Sequence, residues 1–188
     1  MIERFFPDLM VERVQDIDLE MLKEMNIKGL ILDIDNTLVA WDVAEADENA
    51  KEWIQRVQGH GFQVCIVSNG SKLRVMKFNK DLKLRAVHSA IKPASTGFLT
   101  AVNAMGISTE ETAVIGDQIF TDVYGGNRLN MYTVLVKPIS KRESILSSSK
   151  RWLEVIVLRK YKQISEERRQ VRKNWKEISG KRKKKARK

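Results

Sequence analysis

The sequence predicts an α/β fold, an open parallel sheet of about five strands with helices on both faces. Three observations predict it. Residues 30–32, 62–67 and 112–115 are short, continuous apolar runs of the kind that fill strands buried on both sides. Helical patterns of apolar residues alternate with these runs, one carrying Ala50, Trp53, Ile54 and Val57 and another Phe98, Leu99, Val102 and Met105. Each run stops at small or acidic polar residues: Asp33 and Asp35, Ser68 and Asn69, Gly116 and Asp117. In an open α/β sheet, loops and helix N-termini converge at the carboxyl ends of the strands, so reactive residues belong at that edge.

The elements follow in order. Residues 1–27 form a lead-in with Phe5, Phe6, Leu9, Met10, Val11 and Val14, then a helix for which Asp18 is the N-cap. Most of that apolar surface is expected to pack on the domain behind it, the alternative for Phe5 and Phe6 being contact with a membrane interface. After the strand at 30–32, a helix over 47–58 ends at Gly59 and Gly61, and the strand at 62–67 stops at Ser68-Asn69-Gly70. A basic amphipathic helix over 71–82 leads to a short strand at 85–88. Lys92 precedes Pro93, which pushes its backbone out of the helical region and lets the lysine project from a loop. The helix around Phe98 and the strand at 112–115 follow, Gly125-Gly126 interrupts the chain, and residues 131–136 read as the fifth strand. Residues 151–161 are apolar nearly all round and form a helix that must be buried somewhere, in the domain, a partner or a membrane interface.

Composition bounds the function. Cys65 is the lone cysteine and lies inside an apolar run, which excludes an intramolecular disulfide or a cysteine metal cluster and suits a reducing cytoplasm. No apolar run approaches the ~20 residues of a membrane span, and the N-terminus carries acids, so neither export nor a transmembrane segment is expected. The net charge of +10 is concentrated in the tail: residues 159–188 hold 15 Lys/Arg against three acids, leaving −2 on residues 1–158. A near-neutral domain, 28–158, is therefore expected to carry a basic, disordered arm, 159–188, that seeks phosphate backbones or acidic lipid. His60 and His88 have no partner at ligand spacing and read as surface or strand-end residues.

Taken singly, each polar stop is an ordinary turn. Their order is not ordinary: an acid pair, Ser-Asn, Lys-Pro and Gly-Asp with a second Asp fall at the ends of successive strands. With Asp33-Ile34-Asp35-Asn36-Thr37 first, Ser68 second, Lys92 third and Asp117 with Asp122 fourth, the chain resembles the haloacid dehalogenase (HAD) superfamily of phosphohydrolases. The Asp-Ile-Asp-Asn-Thr-Leu form and the string Gly-Asp-Gln-Ile-Phe-Thr-Asp are similar to the YqeG-type, subclass IIIA members, relatives of the phosphatidylglycerophosphatases. The resemblance covers roughly residues 5–145 and leaves the tail outside it.

It implies a Rossmann-like HAD core and a magnesium-dependent phosphomonoester hydrolase. Asp33 is then the nucleophile that forms an aspartyl-phosphate, and Asp35 protonates the leaving oxygen and activates water. Ser68, Asn69 and Lys92 hold the transferring phosphoryl group, Asp33, Asp117 and the backbone carbonyl of Asp35 hold Mg2+, and Thr37 and Asp122 support them. Spacing adds one point: Asp35 to Ser68 and Ser68 to Lys92 leave room for about one helix each, so no cap domain fits. An uncapped site accepts a phosphate presented on something large. The expected substrate is phosphatidylglycerophosphate, the expected location the cytoplasm or the inner face of the membrane, and the expected partner an anionic membrane engaged by the tail. The alternatives are a phosphatase of nucleotides or nucleic-acid ends and a non-catalytic protein docking on RNA or the ribosome.

Overall fold

In the computed structural model, residues 2–140, 155–161 and 163–164 are described. The chain divides into two compact units, residues 1–146 and 147–188. In the second, residues 155–161 are helical, with Val155 and Ile156 exposed. The rest of the apolar segment expected at 151–161 and nearly all of the basic tail lie outside the described residues. Among the described residues, no helix is long and apolar enough to cross a membrane.

The first unit is built on a six-stranded parallel sheet. In chain order the strands are β1 (Leu9–Val11), β2 (Gly29–Leu32), β3 (Gln63–Val67), β4 (Arg85–Val87), β5 (Thr112–Gly116) and β6 (Tyr132–Val136). Across the sheet they run β1-β6-β5-β2-β3-β4, every pairing parallel. The helices are α1 (Leu19–Glu24), α2 (Glu48–Gly59), α3 (Lys72–Phe78), α4 (Ser95–Met105) and α5 (Tyr124–Asn127), the last preceded by a π-helical turn at Ile119–Val123.

Alternation along the strands divides the core. Leu30, Leu32, Val64 and Ile66 pack on one face with Leu22 of α1, Trp53 and Ile54 of α2, and Val75 and Phe78 of α3. Ile31, Cys65 and Val67 point to the other face, against Phe98, Val102 and Met105 of α4. Burial there pushes the Cys65 thiol up to about 11, keeping it a neutral packing group. The helices start where short polar residues cap them: Asp18, Asp47 and Ser71 each accept from a backbone N–H three residues on.

Two departures from the expected elements have local causes. The lead-in contributes a sixth strand: β1 pairs with β6, and Asp8 seals the joint by accepting from Thr133 N at 2.8 Å and Thr133 Oγ1 at 3.0 Å. Ahead of it, Phe5 stacks on Tyr124 with ring centroids 4.6 Å apart. Second, α3 stops at Phe78 rather than near residue 82. The Asn79 side chain donates to Leu84 O at 2.7 Å and accepts from Leu84 N at 2.8 Å, closing a loop in which Lys83 takes a positive φ of 52°. A polar side chain that satisfies loop backbone in this way competes directly with helix continuation.

Candidate active site

The central strands set the site. Leu32 of β2 lies beside Ile115 of β5 in register, and Asp33 N donates to Ile115 O at 3.0 Å, so Asp33 and Asp117 leave adjacent strands at the same carboxyl edge. Beyond Asp33 the chain turns sharply. Thr37, Leu38 and Val39 direct their N–H groups at Ile34 O, and Asn36 takes a φ of 60° while its N–H reaches Val39 O. On the other side of β2, the loop after β4 is tied back to the end of β3: Ala90 N donates to Ser68 O and Ser89 N to Gly70 O. The Asn69 side chain completes this tie, accepting from Lys92 N at 2.6 Å and donating to Lys92 O at 3.3 Å. Asn69 thus fixes the backbone of Lys92 with its own amide.

Lys92 reaches back across the sheet edge. Its Nζ donates to Asp33 Oδ1 and to Asp122 Oδ1, each at 2.7 Å, and all three side chains are almost completely buried. Oxygens of Asp33, Asp117 and Asp122 lie within 4.8 Å of one another. At an effective dielectric of about 20, two unit charges at that separation repel by roughly 3 kcal/mol. Burial pushes the Asp33 carboxyl up to about 6; Lys92 opposes the shift and the neighbouring Asp122 adds to it. For Lys92, burial favours the neutral amine, but Asp122 and Asp33 outweigh it and hold the lysine above its ordinary value.

Three buried carboxylates against one buried ammonium leave an excess of two negative charges, which a divalent cation offsets. The donors are all carboxylate oxygens, suited to a hard, oxygen-seeking ion, so the residues fit a metal. Asp122 is already committed on both oxygens, Oδ1 to Lys92 and Oδ2 to Gln118 N at 3.2 Å and Thr121 Oγ1 at 3.3 Å. That leaves Asp33 and Asp117 as the carboxylate donors. The backbone carbonyl of Asp35 accepts no hydrogen bond among the described residues.

The Asp35 side chain lies apart from this cluster. Arg74, in the first turn of α3, donates to Asp35 Oδ1 from Nη2 at 2.7 Å and from Nε at 3.0 Å, while its Nη1 holds Ala44 O at 2.8 Å. Sequence reasoning missed Arg74, whose only signal was an arginine placed shortly after Ser-Asn-Gly at the start of a helix. Ser68 is buried, its Oγ accepting from Gly70 N at 3.0 Å with the hydroxyl proton still to be donated. Thr37 is buried, and its hydroxyl has no hydrogen-bond partner among the described residues. His60 rests on Arg56 O, and His88 is exposed.

The arrangement suits phosphoryl transfer: a buried carboxylate, a lysine at its oxygen, an acid pair able to hold a metal and a second carboxylate two residues on. Comparison with known proteins agrees. A family model described as mitochondrial PGP phosphatase matches residues 2–140. A probable phosphatase, YqeG, of Bacillus subtilis (strain 168) is 40% identical over 159 residues, covering 84% of this chain and 92% of that protein. The phosphatidylglycerophosphate phosphatase 1, chloroplastic/mitochondrial, of Arabidopsis thaliana is 28% identical over 166 residues, covering 82% of this chain and 47% of that protein. Among solved structures, an uncharacterized protein from Listeria monocytogenes serotype 4b matches with a TM-score of 0.51 at 19% identity, over 63% of this chain and 85% of that one, a likeness of fold. Since the family match spans the whole sheet and every residue of the site, the chain belongs to the PGP phosphatase family, as a YqeG-type HAD phosphatase that hydrolyses phosphoric monoesters.

Proposed function

We propose that this phosphatase uses Mg2+ and an aspartyl-phosphate on Asp33 to remove the terminal phosphate of a membrane lipid, converting phosphatidylglycerophosphate to phosphatidylglycerol. The observation that carries the chemistry is the buried Asp33–Lys92–Asp122 array beside Asp117. The lipid substrate is supported by the family's description and by the Arabidopsis relative's name. It is supported also by spacing, since α2 is the one helix between the first two motifs and α3 the one between the second and third, leaving the site uncapped.

Asp33 and Asp117, with the carbonyl of Asp35, would hold Mg2+, which when bound offsets the charge of the incoming phosphate dianion and of the acids around it. Lys92 keeps Asp33 ionised and oriented at neutral pH and places a second cation where the phosphoryl oxygens gather charge. Asp33 attacks phosphorus; an oxygen–phosphorus bond forms as the bond to the leaving alkoxide breaks. The Asp35 carboxyl gives its proton to that alkoxide, then takes one from the water that hydrolyses the acyl phosphate and regenerates Asp33. Ser68 donates its hydroxyl to the transferring group, and Asn69 acts through the backbone of Lys92. We infer further that the basic tail draws the protein to anionic membrane surfaces, each engaged Lys or Arg contributing about 1 kcal/mol.

The test is phosphate release from phosphatidylglycerophosphate in detergent, from nucleotides, from 5′-phosphorylated oligonucleotides and from sugar phosphates, each with and without Mg2+. The reading expects the highest kcat/KM on the lipid. A preference for nucleotides or oligonucleotide ends would replace the lipid substrate while keeping the chemistry, and no turnover on any monoester would reject both.

A further inference from the structure

Large apolar side chains stand exposed around the mouth of the site. Trp41 and Val43 follow the first motif, Leu73 lies in the first turn of α3, Ile91 precedes Lys92, and Ile139 follows β6, with exposures of 47, 39, 64, 76 and 53%. Parallel topology puts all of them at the carboxyl edge, the edge that holds the catalytic acids. Hydrogen bonds tie their segments to the site itself. Ala44, next to Val43, accepts from Arg74, next to Leu73; Ser89, two residues before Ile91, donates to Gly70; Ile139 N donates to Asn36 O at 3.1 Å.

Ile91 is the most telling of them. It is the most exposed large apolar residue among the described residues of the first unit, and its φ is 56°, a left-handed conformation that a β-branched side chain adopts only against steric resistance. Asn or Gly would be easier on the backbone and better solvated there. An exposed, strained isoleucine beside the catalytic lysine points to a partner outside the chain. The charges between the apolar residues identify that partner. Lys72 and Lys137 are exposed on the same edge, but so are Asp42 and Glu45, so the rim lacks the single sign that a nucleic acid requires. Apolar prongs on separate segments, with both charges between them, match a surface that yields around each prong and offers both charges itself, which is the headgroup layer of a bilayer.

We propose that this apolar rim seats the phosphatase on a lipid bilayer, Trp41, Leu73 and Ile91 entering the headgroup layer, so that a lipid-borne phosphomonoester reaches Asp33 without leaving the membrane. The proposal rests on the lipid-phosphate reading above. It adds to the tail a second contact, one that is apolar and therefore persists when salt screens charge.

The experiment uses the full-length chain and phosphatidylcholine vesicles containing phosphatidylglycerol. Trp53 is 2% exposed and Trp41 is 47% exposed, so the part of any blue shift in emission that Trp41→Phe removes reports the rim. The Trp41→Ser/Leu73→Ser variant is expected to partition into vesicles about tenfold more weakly at high salt. Its ratio of vesicle-borne to soluble-monoester hydrolysis is expected to fall by a similar factor. Ile91→Asn is expected to raise the melting temperature while weakening partitioning, two opposite movements that a packing role for Ile91 would not produce. Unchanged partitioning and an unchanged hydrolysis ratio in these variants would overturn the proposal. So would a dimer that these substitutions dissociate while vesicle binding stays intact, since the rim would then belong to a second copy of the chain. Hydrolysis of soluble monoesters with none of the lipid in detergent would instead reject the substrate reading, and the docking proposal with it.

Discussion

Replacing Gly116 with Ala tests the site through a contact that involves no catalytic side chain directly. Gly116 ends β5, and a Cβ there would lie 2.2 Å from Asp122 Cγ, 2.4 Å from Oδ2 and 2.5 Å from Asp122 Cβ. Restoring van der Waals separations of about 3.5 Å demands that the Asp122 carboxylate retreat by roughly 1 Å. It is poorly placed to do so, being 1% exposed and held by Gln118 N, Thr121 Oγ1 and Lys92 Nζ. The weakest way out is to stretch the 2.7 Å contact to Lys92, which lets the lysine drift from Asp33. A misplacement of about 1 Å in such a constellation costs on the order of a hundredfold in kcat. Overpacking also costs about 1–3 kcal/mol of stability, so the melting temperature should fall by roughly 5 °C. The assay is Mg2+-supported phosphate release from a soluble monoester, well below the variant's melting point. A double-mutant cycle isolates the cause: Asp122→Ala removes the atoms in the way, so Gly116→Ala should cost little in that background. A Gly116→Ala enzyme within about twofold of wild type, or one whose loss is the same with and without Asp122, would refute the steric coupling.

Four further outcomes are expected. Asp33→Asn should lower turnover by at least about a thousandfold while retaining the circular dichroism of the folded protein; near-normal turnover would exclude Asp33 as nucleophile. EDTA should abolish activity and added Mg2+ restore it, and Asp117→Ala should raise the Mg2+ concentration needed for half-maximal rate, as a titration of rate against Mg2+ would show. Burial holds the acid form of Asp33 to about 6 against 3.8 for an ordinary aspartate, so in EDTA the folded protein keeps a proton that the unfolded chain releases, and Asp33's contribution to stability falls as pH rises through that window. Thermal unfolding of wild type and Asp33→Asn across it should give a difference that declines with pH, and a rising difference would contradict the assignment. Arg74→Ala should lower kcat about tenfold or more by releasing Asp35, with a larger loss on alkyl than on aryl phosphates, because only the poorer leaving group depends heavily on the proton; equal losses on both would reduce Arg74 to a structural brace.

How far the site could be read from the sequence depended on how each residue makes its contacts. Asp33, Asp35, Ser68, Lys92 and Asp117 were visible because each interrupts or follows an apolar run, and parallel topology brings the ends of such runs to one edge. The contacts that orient them were not. Arg74 meets Asp35 across 39 residues, and Asn69 meets the backbone of Lys92 across 23, through contacts that exist only once α3 and the loop after β4 pack beside β2. In the sequence, Arg74 is one of several cations on a basic helix, and Asn69, though placed in the site there as a phosphate ligand, gives no sign that its amide is spent on the backbone of Lys92. Gly116 is similarly mute: beside an aspartate it reads as a turn, and its need to be glycine appears only when Asp122 folds back against it. β1 was missed for another reason. Its three residues are too few for a pattern, and they are strand only because Asp8 and Thr133 fasten them to β6.

The same division explains why the site tolerates so much buried charge. The reactive groups follow strand ends, Asp33 after β2, Ser68 after β3, Lys92 in the loop after β4 and Asp117 after β5, but none is held there by its own strand alone. Asp33 depends on Lys92, Lys92 on Asn69 and Asp122, Asp122 on the absent side chain of Gly116, and Asp35 on Arg74. A buried acid cluster with an excess of two negative charges is unfavourable in the absence of a cation, and burial already lifts Asp33 toward its neutral form. Cross-strand hydrogen bonds keep those acids from separating or protonating outright. On the proposed mechanism, a bound divalent cation would offset that excess, so the acids that strain the sheet edge are the ones a metal would relieve.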